Sequence, residues 1–152
     1  MTGNEAVIDA NIAIRFAIKG EPYRQKVRRF VTDCATAGFV LIAPPLYESE
    51  ADGVIRRRVH EGKMTSTAGN AAQAILNALP IVIIYDPNVR AQARKIAEQF
   101  NQERVYDSTY AALAERRGCD FWTADKAFYD AVKGTLTFVK YIGDYSGLTL
   151  TP

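Results

Sequence analysis

The sequence holds one histidine, two cysteines and a nearly cancelled charge, with 19 basic against 17 acidic side chains and a net charge of +2. No apolar run approaches the ~18 residues of a membrane span. Each scarcity excludes a class of function. One histidine, His60, rules out a histidine-built metal site and any paired-histidine acid–base chemistry. A Ser-His-Asp triad would have to pass through His60, which sits in a charged, helix-like run. Cys34 and Cys119 are far apart in sequence and outside any Cys-x-x-Cys spacing, so both are expected to be buried, reduced thiols. Met1 to Glu5 lack the basic region and long apolar core of a signal peptide, and no span is predicted. A cytoplasmic protein with no membrane partner is therefore expected.

What is present is the composition of one globular domain. The chain has 152 residues, 48% apolar and 24% charged, enough to bury a core without metal or disulfide. A single domain over residues 1–152 is expected. Short apolar runs at Ala6 to Ile8, Phe39 to Ala43, Ile81 to Tyr85, Phe121-Trp122 and Leu136 to Ile142 have the length and continuity of strands covered on both faces. Helix-period stretches lie between them. They are Arg24 to Ala37, Pro45 to His60, Ser66 to Leu79, Val89 to Phe100, Asp107 to Arg117 and Asp125 to Val132. Two helices are expected between the first and second strands, and two between the second and third. Alternating strands and helices predict a three-layer α/β/α sandwich with a mostly parallel five-stranded sheet.

In such a sheet, ligands bind beyond the carboxyl ends of the strands. Asp9-Ala10-Asn11 follows the first strand and Thr123-Ala124-Asp125 follows the fourth. Asp107 opens the helix before the fourth strand, and Glu50 lies in the helix after the second. On that helix Leu46, Tyr47, Ala51, Val54 and Ile55 form the apolar face. At 100° per residue Glu50 points about 60° from its centre, Glu48 about 100° and Asp52 about 140°. Glu50 is thus the acid turned furthest inward. Converging carboxylates repel one another unless a cation sits among them, and oxygen-only ligands favour Mg²⁺ or Mn²⁺. Phosphoryl transfer or phosphodiester hydrolysis is the matching chemistry. A second reading stands beside this one: Asp9, Asp107 and Asp125 each precede a helical segment and could be N-caps, Asn11 a turn residue, and Glu50 an arginine's partner.

Four blocks resemble the PIN domain, most closely the VapC-type toxin ribonucleases. They are Val7-Ile8-Asp9-Ala10-Asn11; Pro44-Pro45-Leu46 with Glu50 and Ile55-Arg56-Arg57; Tyr106-Asp107-Ser108-Thr109-Tyr110 with Ala112-Leu113-Ala114; and Trp122-Thr123-Ala124-Asp125-Lys126. The resemblance runs from Val7 to Tyr141. It implies a Mg²⁺- or Mn²⁺-dependent endoribonuclease in which Asp9, Glu50, Asp107 and Asp125 are the catalytic and metal-holding acids, with Asn11 and Thr123 supporting them. It also implies an RNA substrate, a homodimer and an antitoxin partner. Gly53 stands where many members carry Asn, and Ser108-Thr109 replaces a commoner small pair; neither removes an acid.

RNA binding needs positive charge around that acidic centre. Arg56 and Arg57 are candidate substrate contacts, although Arg56-Arg57-Arg58 would fan over about 200° of a helix and cannot all meet one phosphate. Phe16, Phe30 and Tyr47 could line a partner groove or belong to the core, and Phe30 reads as core. The competing functions are a catalytically silent PIN-like binding module and an acid-pocket phosphotransfer domain. The second lacks the Asp-x-Asp of a dehalogenase-like phosphatase and the paired acids of a receiver.

Overall fold

The computed structural model describes residues 4–148, so most of the Met1 to Glu5 segment lies outside it. Five strands alternate with helices: β1 (Glu5–Ile8), α1 (Ala10–Ala17), α2 (Arg24–Ala37), β2 (Val40–Ala43), α3 (Leu46–His60), α4 (Ser66–Ala78), β3 (Ile81–Ile83), α5 (Val89–Gln99), α6 (Tyr106–Arg117), β4 (Asp120–Thr123), α7 (Lys126–Val132) and β5 (Val139–Tyr141). All four strand pairings are parallel, in the order β3-β2-β1-β4-β5. β1 registers Val7 against Ile42 on one side and against Phe121 on the other.

Alternation along β4 assigns the helices to faces. Trp122 meets Phe30 of α2, with ring centroids 5.3 Å apart. Its neighbour Phe121 points the opposite way, stacking on Tyr110 of α6 at 5.6 Å and meeting Phe128 of α7 at 6.4 Å. Thus α2 covers one face and α6 with α7 the other, giving the three layers that the sequence predicts. Right-handed crossovers require the same division, because the chain winds outward through β2 and β3 and then returns past β1 to β4. Phe121 is fully buried, and truncating such a side chain to Ala costs about 3–5 kcal/mol.

α6 is buried almost all round from Ser108 to Ala114. It packs on β1 and β4 and against α5, and its alanines allow that close approach on several sides. Gly118 then stops it in the left-handed region at φ 66°, a conformation that glycine adopts without steric cost.

The outermost runs depart from the expectation of strands covered on both faces. β3 keeps only Ile81–Ile83, and Val82 is 46% exposed because β3 is an edge strand. Within Leu136 to Ile142 only Val139–Tyr141 pairs, since Thr135 and Leu136 turn back onto the Val132 carbonyl. Phe30 is fully buried, as read from the sequence, and Tyr47 is buried beside α3's core face, whereas Phe16 is half-buried under the Arg28 guanidinium. Cys34 is a buried free thiol and Cys119 a half-buried one, both pushed up to about 12 by burial. His60 ends α3, exposed. Among the described residues no helix is long and apolar enough to cross a membrane.

Candidate active site

The sheet reverses its winding between β1 and β4, so the crevice at their carboxyl ends is the switch point of the strand order. Asp9 leaves β1 there and Thr123 ends β4 beside it. Asp9 is 3% exposed, and its carboxylate is held by one hydrogen bond from its own helix and two from the end of β4. Its Oδ1 accepts from the Ile12 amide at 3.0 Å, capping α1. Its Oδ2 accepts from the Thr123 hydroxyl at 2.7 Å and from the Ala124 amide at 3.4 Å. The Thr123 oxygen in turn accepts from the Asp125 amide at 2.9 Å, and Asp125 Oδ1 caps α7 by accepting from the Phe128 amide at 2.9 Å. Capping and site formation are therefore the same interactions at Asp9 and Asp125. One carboxylate oxygen fixes the helix, and the fixed helix start holds the carboxylate at the sheet end.

Asp107 is different. It lies in the first turn of α6 rather than at the cap, which is Val105, so the capping reading fails for it. The Asp107 carboxyl is pushed up to about 8, first by burial, then by a hydrogen bond with the Asp125 carboxyl, then by the charges of Asp9, Asp125 and Glu50. Asp9 is pushed up to about 6, mainly by burial, against the pull of its Thr123, Ile12 and Ala124 hydrogen bonds. Glu50 is half-buried while Glu48 and Asp52 are exposed, as the helix-face geometry of the sequence requires. Burial raises Glu50 too, and a hydrogen bond from the Tyr110 hydroxyl to Oε1 at 2.7 Å counters it.

The structure thus brings Asp9, Glu50, Asp107, Asp125 and Thr123 together, each acid within electrostatic reach of Asp107. Asn11 is exposed on the first turn of α1. Arg56 and Arg57 are exposed further along α3. Arg57 pairs with Glu61 at 3.7 Å, and Arg56 lines a groove of about 390 Å³ between α3 and α4. Arg58 turns away to Glu21, so the three arginines diverge as their spacing demands. Tyr110 is the site residue that the sequence reading did not assign a role. The signal available was its i+3 spacing from Asp107, which puts both on neighbouring positions of one helix face. Ser108, wholly buried between them, has a hydroxyl oxygen with no hydrogen-bond partner.

The donor set is oxygen alone, which suits a hard divalent cation. Among the described residues no three His, Cys, Asp or Glu side chains form a ready-made cage for an ion. Both oxygens of Asp9 and one each of Asp125 and Glu50 are engaged in hydrogen bonds, and metal-ligating carboxylates commonly keep such bonds. The raised affinity of Asp9, Glu50 and Asp107 for protons is the electrostatic counterpart of a site suited to a cation.

The family model of the PIN domain matches residues 6–134. Among solved structures, PAE2754 from Pyrobaculum aerophilum superposes with a TM-score of 0.66 at 17% identity, over 93% of this chain and 93% of that one. VapC20 of Mycobacterium tuberculosis, described as a Sarcin-Ricin loop cleaving toxin, gives 0.61 at 17% identity over 84% and 95%. VapBC2 from Rickettsia felis, bound to a DNA fragment from their promoter, gives 0.65 at 10% over 90% and 98%. No curated protein matches the sequence significantly.

Proposed function

The chain belongs to the PIN domain family, and from that premise we propose that it is a Mg²⁺- or Mn²⁺-dependent endoribonuclease, the toxin of a toxin–antitoxin pair. The observation that carries the reading is the set of four carboxylates at the β1/β4 switch point, three of them raised by burial, with Asp107 raised further by its neighbours' charge. Asp9, Glu50, Asp107 and Asp125 would hold the cation. When bound, it supplies positive charge for the scissile phosphate and makes water a better nucleophile.

The chain's own residues do the positioning. Thr123 holds Asp9 Oδ2, the Asp125 amide holds Thr123, and Tyr110 holds Glu50, so three carboxylates sit at helix starts and the fourth reaches in from within α3. The reaction is hydrolysis: water adds to phosphorus, the bond to the 3′ oxygen breaks, and a proton moves to that oxygen. The products carry 5′-phosphate and 3′-hydroxyl, and the RNA 2′-hydroxyl is not the nucleophile. Asn11, Arg56 and Arg57 complete the proposed substrate surroundings. The similarity of fold to VapC20, described as a Sarcin-Ricin loop cleaving toxin, and to the VapBC2 complex supports an RNA target and an antitoxin partner; a homodimer in the cytoplasm belongs to the same proposal and rests on the resemblance of the sequence blocks alone.

The alternative is a silent PIN-like module that binds RNA or protein without cutting. The complete acidic quartet favours catalysis, because losing one acid is the simplest route to silence. Calorimetric titration of metal-free protein with Mn²⁺, beside Asp9→Asn, tests the reading. Saturable binding that the substitution abolishes, together with RNA cleavage that requires the ion, supports it. Cleavage by wild type that persists undiminished in chelator would overturn it.

A further inference from the structure

We propose that RNA entering or leaving the acidic cleft lies along a basic groove between α5 and α6, with its phosphates on Arg90 and Arg94 and a base against Tyr106; this rests on the nuclease reading above. The groove has a volume of about 440 Å³ and is lined by Pro87, Arg90, Arg94, Val105 and Thr109, with α5 alanines as its floor.

Three observations converge on it. The first is the state of the cations. Among the described residues, most other arginines and lysines are engaged: Arg29, Arg57, Arg58, Lys63, Arg116, Arg117, Lys126 and Lys133 in ion pairs, and Arg15 and Lys26 with backbone carbonyls. Arg90, Arg94, Lys95 and Arg104 are all exposed and none is in an ion pair with an acid. Glu98 and Glu103 share the stretch without neutralising it. Arg90 and Arg94 stand one helical turn apart, so they present their charges along one stripe of α5.

The second is the aromatic and apolar surface between the groove and the acids. Tyr106 is 50% exposed and Val105 40% exposed, immediately before Asp107. Unlike Tyr110, Tyr106 contributes nothing to the core. An exposed ring beside unpaired arginines is the combination that single-stranded nucleic acid uses, stacking for the base and charge for the backbone.

The third is continuity. Thr109 in the groove and Asp107 in the site are about 160° apart on the first turns of α6, measured past Tyr106, which lies between them at about 100° from Asp107. The α6 wall of the groove and the acids are therefore separated by the width of one helix start, ~10 Å. Gln92 bonds Glu115 near the far end of α6, so a strand with one phosphate at Asp107 passes over Tyr106 and meets the groove at Val105 and Thr109 before it runs on to Arg94 and Arg90. The two opposite signs of charge then have separate tasks, the acids for a cation and the arginines for the flanking phosphates.

The test is fluorescence anisotropy with a fluorescein-labelled single-stranded RNA of mixed sequence, without divalent cation, over a range of salt concentrations. The proteins are wild type, the double variant Arg90→Gln with Arg94→Gln, Tyr106→Ala, and a control pair, Lys19→Gln in the α1–α2 connection with Arg28→Gln in α2, which covers the opposite face of the sheet from α6. Circular dichroism confirms folding of each. Removing two phosphate contacts lowers the slope of log affinity against log salt by about 1.4. We expect that change in the α5 variant together with at least tenfold weaker binding at low salt. Tyr106→Ala weakens binding and leaves the slope alone, and the control pair matches wild type. An α5 variant with wild-type slope and affinity overturns the inference, as does a control pair that loses as much, or a wild type that binds no RNA. Cleavage of the same RNA with Mn²⁺ is read separately, so a wild type that binds through Arg90 and Arg94 but never cuts leaves the groove standing and removes the nuclease reading.

Discussion

Tyr110 Oη donates a 2.7 Å hydrogen bond to Glu50 Oε1, tying α6, on one side of the sheet, to α3, which follows β2. The same ring stacks on Phe121 of β4, so the rigid core fixes the hydroxyl and the hydroxyl fixes the carboxylate. Glu50 is the one acid of the four that comes from a side chain reaching inward from mid-helix rather than from a strand end or helix start. It therefore depends most on a partner for its position. Tyr110 is a positioning residue, and its hydroxyl is held in the neutral form by burial and by Glu50 itself.

Tyr110→Phe is expected to keep the stacked ring and lose only that hold. The stability cost is about 1 kcal/mol, because the freed Glu50 oxygen faces the cleft and can take water instead. Mn²⁺ affinity falls several-fold and RNA cleavage with it. Calorimetry and urea denaturation measure both. Unchanged ion affinity in a folded Tyr110→Phe protein would show that Glu50 needs no such support.

Thr123→Val removes a hydroxyl that donates to Asp9 Oδ2 and accepts from the Asp125 amide. Asp9 is buried and the Asp125 amide part-buried, and the replacement is of similar shape, so the loss is almost purely polar. About 1–3 kcal/mol of stability is expected to go, with the metal-free Asp9 carboxyl rising further because the bond that lowers it is gone. Thr123→Ser restores the bond. Thermal melting of the two variants decides it: equal melting temperatures for Val and Ser would show that the hydroxyl does not hold the site.

Much of this site was legible in the sequence because strand ends and helix starts are local features. Asp9, Thr123 and Asp125 follow apolar runs directly, and the parallel topology sends those ends to one edge. Glu50 was separable from Glu48 and Asp52 by helix-face geometry alone, and its half-burial bears that out. The pairing of Tyr110 with Glu50 was not legible. The two are 60 positions apart, and nothing in either segment states that α6 and α3 meet above the sheet. The overlong third and fifth runs have a related cause. Apolarity marks burial, and only the strand order reveals that β3 and β5 are edges where pairing stops early.

The raised carboxyls set a pH dependence of the metal-free protein. Asp107 ordinarily titrates near 3.8 and does so at about 8 in the fold, and Asp9 moves to about 6. A carboxyl raised by folding binds its proton more tightly in the native state than in the unfolded chain. Its favourable contribution is complete below the unfolded value and is lost as pH rises to the folded one. Asp86 and Asp130, which shift downward, are ionised in both states above pH 6. Between pH 6 and pH 8, therefore, Asp107 dominates, and the melting temperature in chelator falls across that interval. Adding Mn²⁺ at pH 8 raises it again. A flat profile from pH 6 to pH 8 without metal would show that Asp107 is not crowded by its neighbours.

Asp107→Asn carries that argument to its consequence. The amide keeps the shape of the carboxyl, can still bond Asp125, and has no charge to repel Asp9, Asp125 and Glu50. The variant should fold normally, melt higher than wild type at pH 8 in chelator, and lose the stability slope between pH 6 and pH 8. It should also lose ion binding and RNA cleavage, since an amide supplies neither the charge nor the second anionic oxygen a hard cation requires. Stability gained and cleavage lost from one substitution is the signature of a group kept for chemistry at a cost to the fold. Full cleavage retained by a purified, folded Asp107→Asn protein would remove Asp107 from the site. A variant less stable than wild type at pH 8 would instead mean that the carboxylate is satisfied where it lies, and that the acids are a structural cluster.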